Sequence, residues 1–179
     1  MVESLSESAF REALSRFASG VTVVTAQGPS GPVGFTASAF TSVSLSPPLV
    51  LVCVAKSASI HDVLLTVQRF GVNVLAEEQR WVAEQFARRA VDRFERVALQ
   101  QRGSESVPLL EGALASLECQ HHDAREAGDH TIVVGEVLGV SVTAGRPLVH
   151  YGRRFGSFTT LSSTLGAPTA GETWKGGEA

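Results

Sequence analysis

Seven consecutive apolar residues, Leu49-Val50-Leu51-Val52-Cys53-Val54-Ala55, limit this chain more than any other stretch. The run is far short of the ~20 residues that a membrane-spanning helix needs. Its valines are β-branched and favour extended backbone. Pro47-Pro48 closes it on one side, and the polar step Lys56-Ser57-Ala58-Ser59 closes it on the other. A strand with no polar alternation is expected to be covered on both faces. Such a strand belongs inside a layered core, and 179 residues suffice for one domain of that kind at ~100–200 residues per domain.

Around this strand the pattern is one of hairpins. Ser4-Leu5-Ser6-Glu7 has the form of a capping box and opens a helix. Phe10, Ala13, Leu14 and Phe17 follow as an amphipathic stripe, which Gly20 stops. Residues 21–26 read as a strand, 27–32 as a turn, and Val33 resumes extended structure. Ser59 is the expected N-cap of a helix to about Leu65, with Asp62 in its first turn. Residues 70–75 read as a strand, and 77–89 as a helix with Val82 and Phe86 inward. Residues 92–108 read as polar surface loop. Residues 113–123 and 131–142 read as two long strands joined around 126–129, and 147–151 as a last short strand. From Leu161 the chain is rich in Ser, Thr, Gly and Pro. The expected organisation is therefore one domain over residues 1–160 and a flexible tail over 161–179. With six or seven strands against three helices, the fold class is mainly β with peripheral helices, a small antiparallel barrel.

Charge and cysteine content exclude several classes. A formal net charge of −3 leaves no basic excess for nucleic acid. Of 15 basic residues only Lys56 and Lys175 are lysines, and Lys175 falls in the expected tail. Cys53 and Cys119 are too few for a disulfide framework. The opening residues lack a charged and then apolar leader, so the chain reads as cytoplasmic, with no membrane partner.

Cys119, His121, His122, Asp123 and His130 cluster in sequence, but strand alternation splits them between two faces and no metal site is expected. Neither a Gly-x-Ser-x-Gly elbow nor a dinucleotide glycine fingerprint occurs. Two other stretches carry chemistry. The strand ending at Ala55 feeds Lys56, Ser57 and Ser59 into a helix start, which gathers backbone N–H groups, hydroxyls and an ammonium as an anion site would. The segment from Thr36 to Ser44 is small, hydroxylated and uncharged, so a flat heteroaromatic ring could approach its backbone closely; a loop satisfying its own backbone is the plainer alternative.

Taken in order, five blocks resemble one family. They are Phe10-Arg11 with Phe17-Ala18-Ser19-Gly20-Val21-Thr22-Val23-Val24-Thr25, then Gly34-Phe35-Thr36-Ala37-Ser38-Ala39-Phe40-Thr41-Ser42-Val43-Ser44-Leu45-Ser46-Pro47-Pro48-Leu49-Val50, Phe70-Gly71-Val72-Asn73-Val74-Leu75 with Gln79 and Phe86, Gly128-Asp129-His130-Thr131-Ile132-Val133-Val134-Gly135-Glu136-Val137, and Pro147-Leu148-Val149-His150-Tyr151-Gly152-Arg153-Arg154-Phe155-Gly156. The family is that of the flavin reductase-like, split-barrel FMN-binding proteins, the NAD(P)H:flavin oxidoreductases that serve two-component monooxygenases. The resemblance implies a split β-barrel with Greek-key order and a homodimer. It implies hydride transfer from NADH or NADPH to FMN or FAD, and delivery of reduced flavin to a separate oxygenase. The choice within each cofactor pair stays open.

Residue by residue, the resemblance implies that Thr36, Ala37, Ser38, Ser42, Val43 and Ser44 meet the flavin ring. Cys53, Val54 and Ala55 run beside it, while Lys56, Ser57 and Ser59 face its phosphate. Asn73 and Gln79 lie close to the cofactor. Tyr151, Gly152 and Arg153 border the nicotinamide, and His130 orients it or relays a proton. The chain departs from the family's habit at Ser46 and at His150. A non-catalytic flavin- or haem-binding module on the same barrel is the competing reading, with His121-His122 as its axial ligand.

Overall fold

The computed structural model describes residues 5–89, 91–100 and 107–160. The expected tail over 161–179, with Trp174 and Lys175, lies outside the described residues, as does Ser4. In chain order the elements are α1 (Glu7–Ser15), β1 (Ser19–Gly20), β2 (Thr22–Gly28), β3 (Gly31–Ala37), β4 (Phe40–Leu45), β5 (Pro48–Ala55), α2 (His61–Thr66), β6 (Arg69–Val74), a 3-10 turn (Glu77–Gln79), α3 (Arg80–Ala87), β7 (Ala115–Ala127), β8 (His130–Val142), β9 (Leu148–Tyr151) and β10 (Arg154–Ser157). Seven strands form an antiparallel sheet in the order β3-β2-β6-β7-β8-β5-β4, and β1-β9-β10 form a second, small sheet. Mainly β with helices at its edge, the fold is a split barrel: β3 and β4 are the free ends of the large sheet.

Thr22–Gly28 is the strand covered on both faces. Val24 and Ala26 enter the barrel core beside Val52, Val54, Phe70 and Val133. Val23 enters a second core with Val21, Leu75, Val82, Phe86 and Leu148. This corrects the expectation for the apolar run, now β5. Along β5 only Val50, Val52 and Val54 are buried, whereas Leu49, Leu51, Cys53 and Ala55 are half-exposed. Composition marks an apolar strand but does not say whether protein or a ligand meets its second face.

Other expectations shift by smaller amounts. Ser6 caps α1, its hydroxyl accepting the Ala9 amide at 3.2 Å. The apolar stripe of α1 is left in solvent, for the helix buries no residue at all. Ser59 does not cap α2; Ile60 holds that position with no side-chain bond. The hydroxylated segment is mostly strand, split between β3 and β4 by Ser38 and Ala39. The stretch expected as surface loop sends Val107 inward and rests Phe94, Val97 and Leu99 on the second core. A fourth late strand, β10, completes the hairpin with β9. Long β7 and β8 pair along their length and carry a tight turn at Gly128-Asp129.

Candidate functional site

The outward face of β5 floors a cavity of about 720 Å³. Leu51 and Cys53 form that floor, and Ser38, Ala39, Phe40 and Thr41 make one wall. Arg11, Leu14 and Ser15, on one face of α1, make the opposite wall with Phe17. His150 and Arg153, from β9 and the turn after it, close the end. Apolar walls thus meet a rim whose full charges are cationic, Arg11 and Arg153, with no carboxylate among the lining residues. The volume lies in the range of small-molecule sites, ~300–1,000 Å³. Burial pushes the Cys53 thiol above its ordinary range, so it is no ready nucleophile. A flat, largely apolar ligand with anionic ends fits this donor set.

At the far end of β5 the hairpin of β7 and β8 is tied down. Ala55 pairs with His130, and the Lys56 amide donates to the Asp129 carbonyl at 2.9 Å. His130 Nδ1 lies 2.8 Å from the Asp129 carboxylate. That bond, with a smaller contribution from Arg11, holds the Asp129 carboxyl below its ordinary value. Lys56 Nζ donates to Glu126 at 3.1 Å, so its ammonium sits over the end of β5. Beside it, Ser57 and Ser59 are exposed on the turn into α2. The Ser59 hydroxyl accepts from Arg93 at 3.0 Å. The same guanidinium nitrogen donates to the Gly34 carbonyl at 2.9 Å, and Arg93 Nε donates to the Arg88 carbonyl at 3.0 Å. Arg93, Ser59 and Gly34 line a smaller cavity of about 260 Å³.

The residues marked from the sequence therefore divide. Ser38, Cys53 and Arg153 line the main cavity. Ala55, Lys56, Ser57, Ser59 and His130 gather at the end of β5. Thr36 spends its hydroxyl on the Ala83 carbonyl at 2.7 Å, and Ala37 is buried beside Thr22. Val54 points into the core, leaving only its backbone toward β8. Ser42 and Val43 are exposed on β4, where a bulge falls before Ser44, and the Ser44 hydroxyl accepts the Ser46 amide. Tyr151 is half-exposed, and Gly152 and Arg153 form the turn between β9 and β10.

Asn73 and Gln79 lie apart from this group, braced inside the fold. Asn73 is fully buried; its amide donates to the Val23 carbonyl, and its oxygen accepts from the Leu110 amide and the Ser116 hydroxyl. Gln79 bonds the Ala76 amide and the Glu111 carbonyl. Among the described residues no three His, Cys, Asp or Glu side chains are placed to hold a metal ion.

Sequence reasoning missed Arg11, Leu14 and Phe17 as cavity walls, although Leu14 and Phe17 stood in the apolar stripe that opens the chain. It missed Arg93 outright, since a lone Arg in a polar stretch carries no local signal.

Comparison with known proteins follows the same outline. Residues 14–159 match the family described as flavin reductase like domain. The FMN reductase (NADH) SmoA of Agrobacterium fabrum is 45% identical over 152 residues, which cover 84% of this chain and 85% of that one. A reductase component of a 4-nitrophenol 4-monooxygenase/4-nitrocatechol 2-monooxygenase from Rhodococcus opacus is 38% identical over 165 residues, covering 92% and 88%. Among solved structures, an NADH:FAD oxidoreductase of Streptomyces globisporus, in complex with NAD and FAD fragments, superposes with a TM-score of 0.82 at 42% identity. That match covers 89% of this chain and 96% of the other.

Proposed function

The chain belongs to the flavin reductase-like domain family, and from that premise we propose that it is an NADH-dependent flavin reductase supplying reduced flavin to a separate oxygenase. One observation carries the reading: the outward face of an otherwise core-forming strand is left open as the floor of an apolar cavity with a cationic rim.

The residues present suit a flavin. Ser38 and Thr41 offer hydroxyls along one wall and Leu51 and Cys53 an apolar floor, so an isoalloxazine ring would lie on β5. Ser42, Val43 and Ser44 extend the same strand edge. Lys56, Ser57, Ser59 and Arg93 would hold the phosphate, because a guanidinium without a carboxylate partner among the described residues favours an oxyanion. Asn73 and Gln79 enter only as braces. Bound flavin supplies the redox chemistry, accepting hydride from the dihydronicotinamide. The protein needs no nucleophile for this; it must hold two rings at ~3–3.5 Å and exclude bulk water. His130, held by Asp129, would orient the nicotinamide or relay a proton, and Arg153 with Tyr151 and Gly152 would border the dinucleotide. The choice between FMN and FAD stays open, and the relatives' names include each. NADPH stays open beside NADH.

The protein acts as a homodimer in this reading. Support comes from apolar side chains standing in solvent: Leu45 is 95% exposed, Val142 80% and Phe17 77%. Its location is cytoplasmic, consistent with the absence among the described residues of any helix long and apolar enough to cross a membrane. The test is direct. Purified protein, NADH or NADPH, and free FMN or FAD are mixed and the nicotinamide absorbance is followed. Flavin-dependent consumption is expected; its absence with every pair would sink the assignment in favour of a non-catalytic binding module.

A further inference from the structure

The cationic rim of the cavity draws on two elements far apart in sequence, Arg11 from α1 and Arg153 from the turn between β9 and β10. These elements are fastened together. The Gly152 amide donates to the Ser15 carbonyl at 2.9 Å. Tyr151, and after it the Glu12 carboxylate, hold the Arg16 guanidinium's pKa above its ordinary value. The Glu12 carboxylate lies between two arginines, 2.6 Å from Arg16 and 3.5 Å from Arg153.

The backbone gives the turn a further peculiarity. Gly152 has φ 57 and Arg153 φ 63, two consecutive left-handed residues as in a type I′ hairpin. Both places ordinarily go to glycine or asparagine, because a Cβ is crowded there. The chain thus sets a long cation where the backbone would favour glycine, and brings a carboxylate from another element to meet it. Arg16 pins that carboxylate at the shorter distance, so Glu12 is fixed before it meets Arg153. One contact then narrows the rotamers of a side chain that is 62% exposed, while the rest of its donor fork stays free.

We propose that Glu12 is a positioning residue: through Arg153 it aims a guanidinium at the phosphates of the nicotinamide dinucleotide. The proposal rests on the reductase reading above. Glu12 itself does not line the cavity and touches no reacting atom.

The test is Glu12→Gln in the full chain, assayed with saturating FMN. The KM for NADH is expected to rise about two- to fivefold, the scale of an exposed ion pair, with kcat and FMN affinity unchanged. With benzyl-dihydronicotinamide, a hydride donor that carries no phosphate, the variant is expected to match the parent. In an Arg153→Gln background, Glu12→Gln is expected to add nothing further. An equal KM rise with both donors would overturn the proposal, since Glu12 would then merely brace α1. An unchanged KM for NADH would overturn it too, and a lowered one would show a carboxylate competing with the phosphates. A parent protein that oxidises neither donor strikes the reductase reading itself, a result distinct from any effect of Glu12.

Discussion

Lys56 is the one lysine of the described chain, and the structure gives it an acidic partner as well as a place. Its bridge to Glu126 is largely solvated, with the glutamate side chain 83% exposed, so it contributes at most about 1 kcal/mol. A phosphate bond at the same ammonium is charge-assisted and contributes about 1.5–3 kcal/mol. Lys56→Ala is therefore expected to weaken FMN binding about tenfold or more while the urea midpoint barely moves. The reverse pattern, stability lost and affinity kept, would make Lys56 ordinary surface charge.

The two cysteines differ for a related reason. Cys119 is fully buried, and burial, with a smaller contribution from Glu118, pushes its thiol up to about 12 from a usual 9.0. The unfolded thiol ionises above that usual value, whereas the folded one stays protonated to about 12. Stability should thus fall as pH rises through this window, by no more than ~1.4 kcal/mol per pH unit, with no contribution from Cys119 ionisation at neutral pH. Urea unfolding from neutral to alkaline pH checks this: the excess loss should vanish in Cys119→Ala. Cys53 lines the cavity floor and should be alkylated before Cys119, with FMN slowing the reaction.

At the scale of elements, α2 and the turn before it are held from outside. The helix has only six residues and no side-chain cap. It is fixed by buried Ile60 and Leu64, by His61 Nε2 at 2.9 Å from the Thr131 hydroxyl, and by Arg93 on Ser59. Arg93→Met keeps the apolar stem but strips the donors from Gly34, Arg88 and Ser59. Its expected cost is about 1–3 kcal/mol of stability together with weaker FMN binding. Lost stability with intact binding would confine Arg93 to bracing.

Element existence was readable from local pattern. A turn within 27–32, tightened to Pro29-Ser30, a strand near 70–75 and the inward Val82 and Phe86 all follow from turn residues and periodicity. Where a side chain spends its hydrogen bonds was not readable. Ser59 looked like a cap because its neighbours in sequence suit one, but a guanidinium 34 residues away takes its hydroxyl.

At the scale of the molecule, apolar surface remains unspent. Val140, Val142 and Leu138 at the end of β8 stand in solvent with Leu45 of β4 and the stripe of α1. Leu138, Val140 and Val142 alternate along β8 and so share one face, and an apolar face left in solvent ordinarily marks an interface. The protein is expected to run as a dimer in light scattering at micromolar concentration, and Val142→Asp to shift it toward monomer. A monomeric parent would place that surface elsewhere, against the oxygenase for example.

By itself the sequence determined the strand-rich class, the hairpins and the family. These are properties of neighbouring residues, of spacing and of blocks in order. The tertiary structure decided which apolar faces meet protein and which stay open. It turned β5 into a cavity floor and β2 into the doubly covered strand. It also set Leu14 and Phe17 as part of a cavity wall and brought Arg93 and Glu12 to places that local pattern could not assign. The reason is physical: hydrophobicity fixes that a face must leave water, but only packing across the whole chain fixes what it leaves water for.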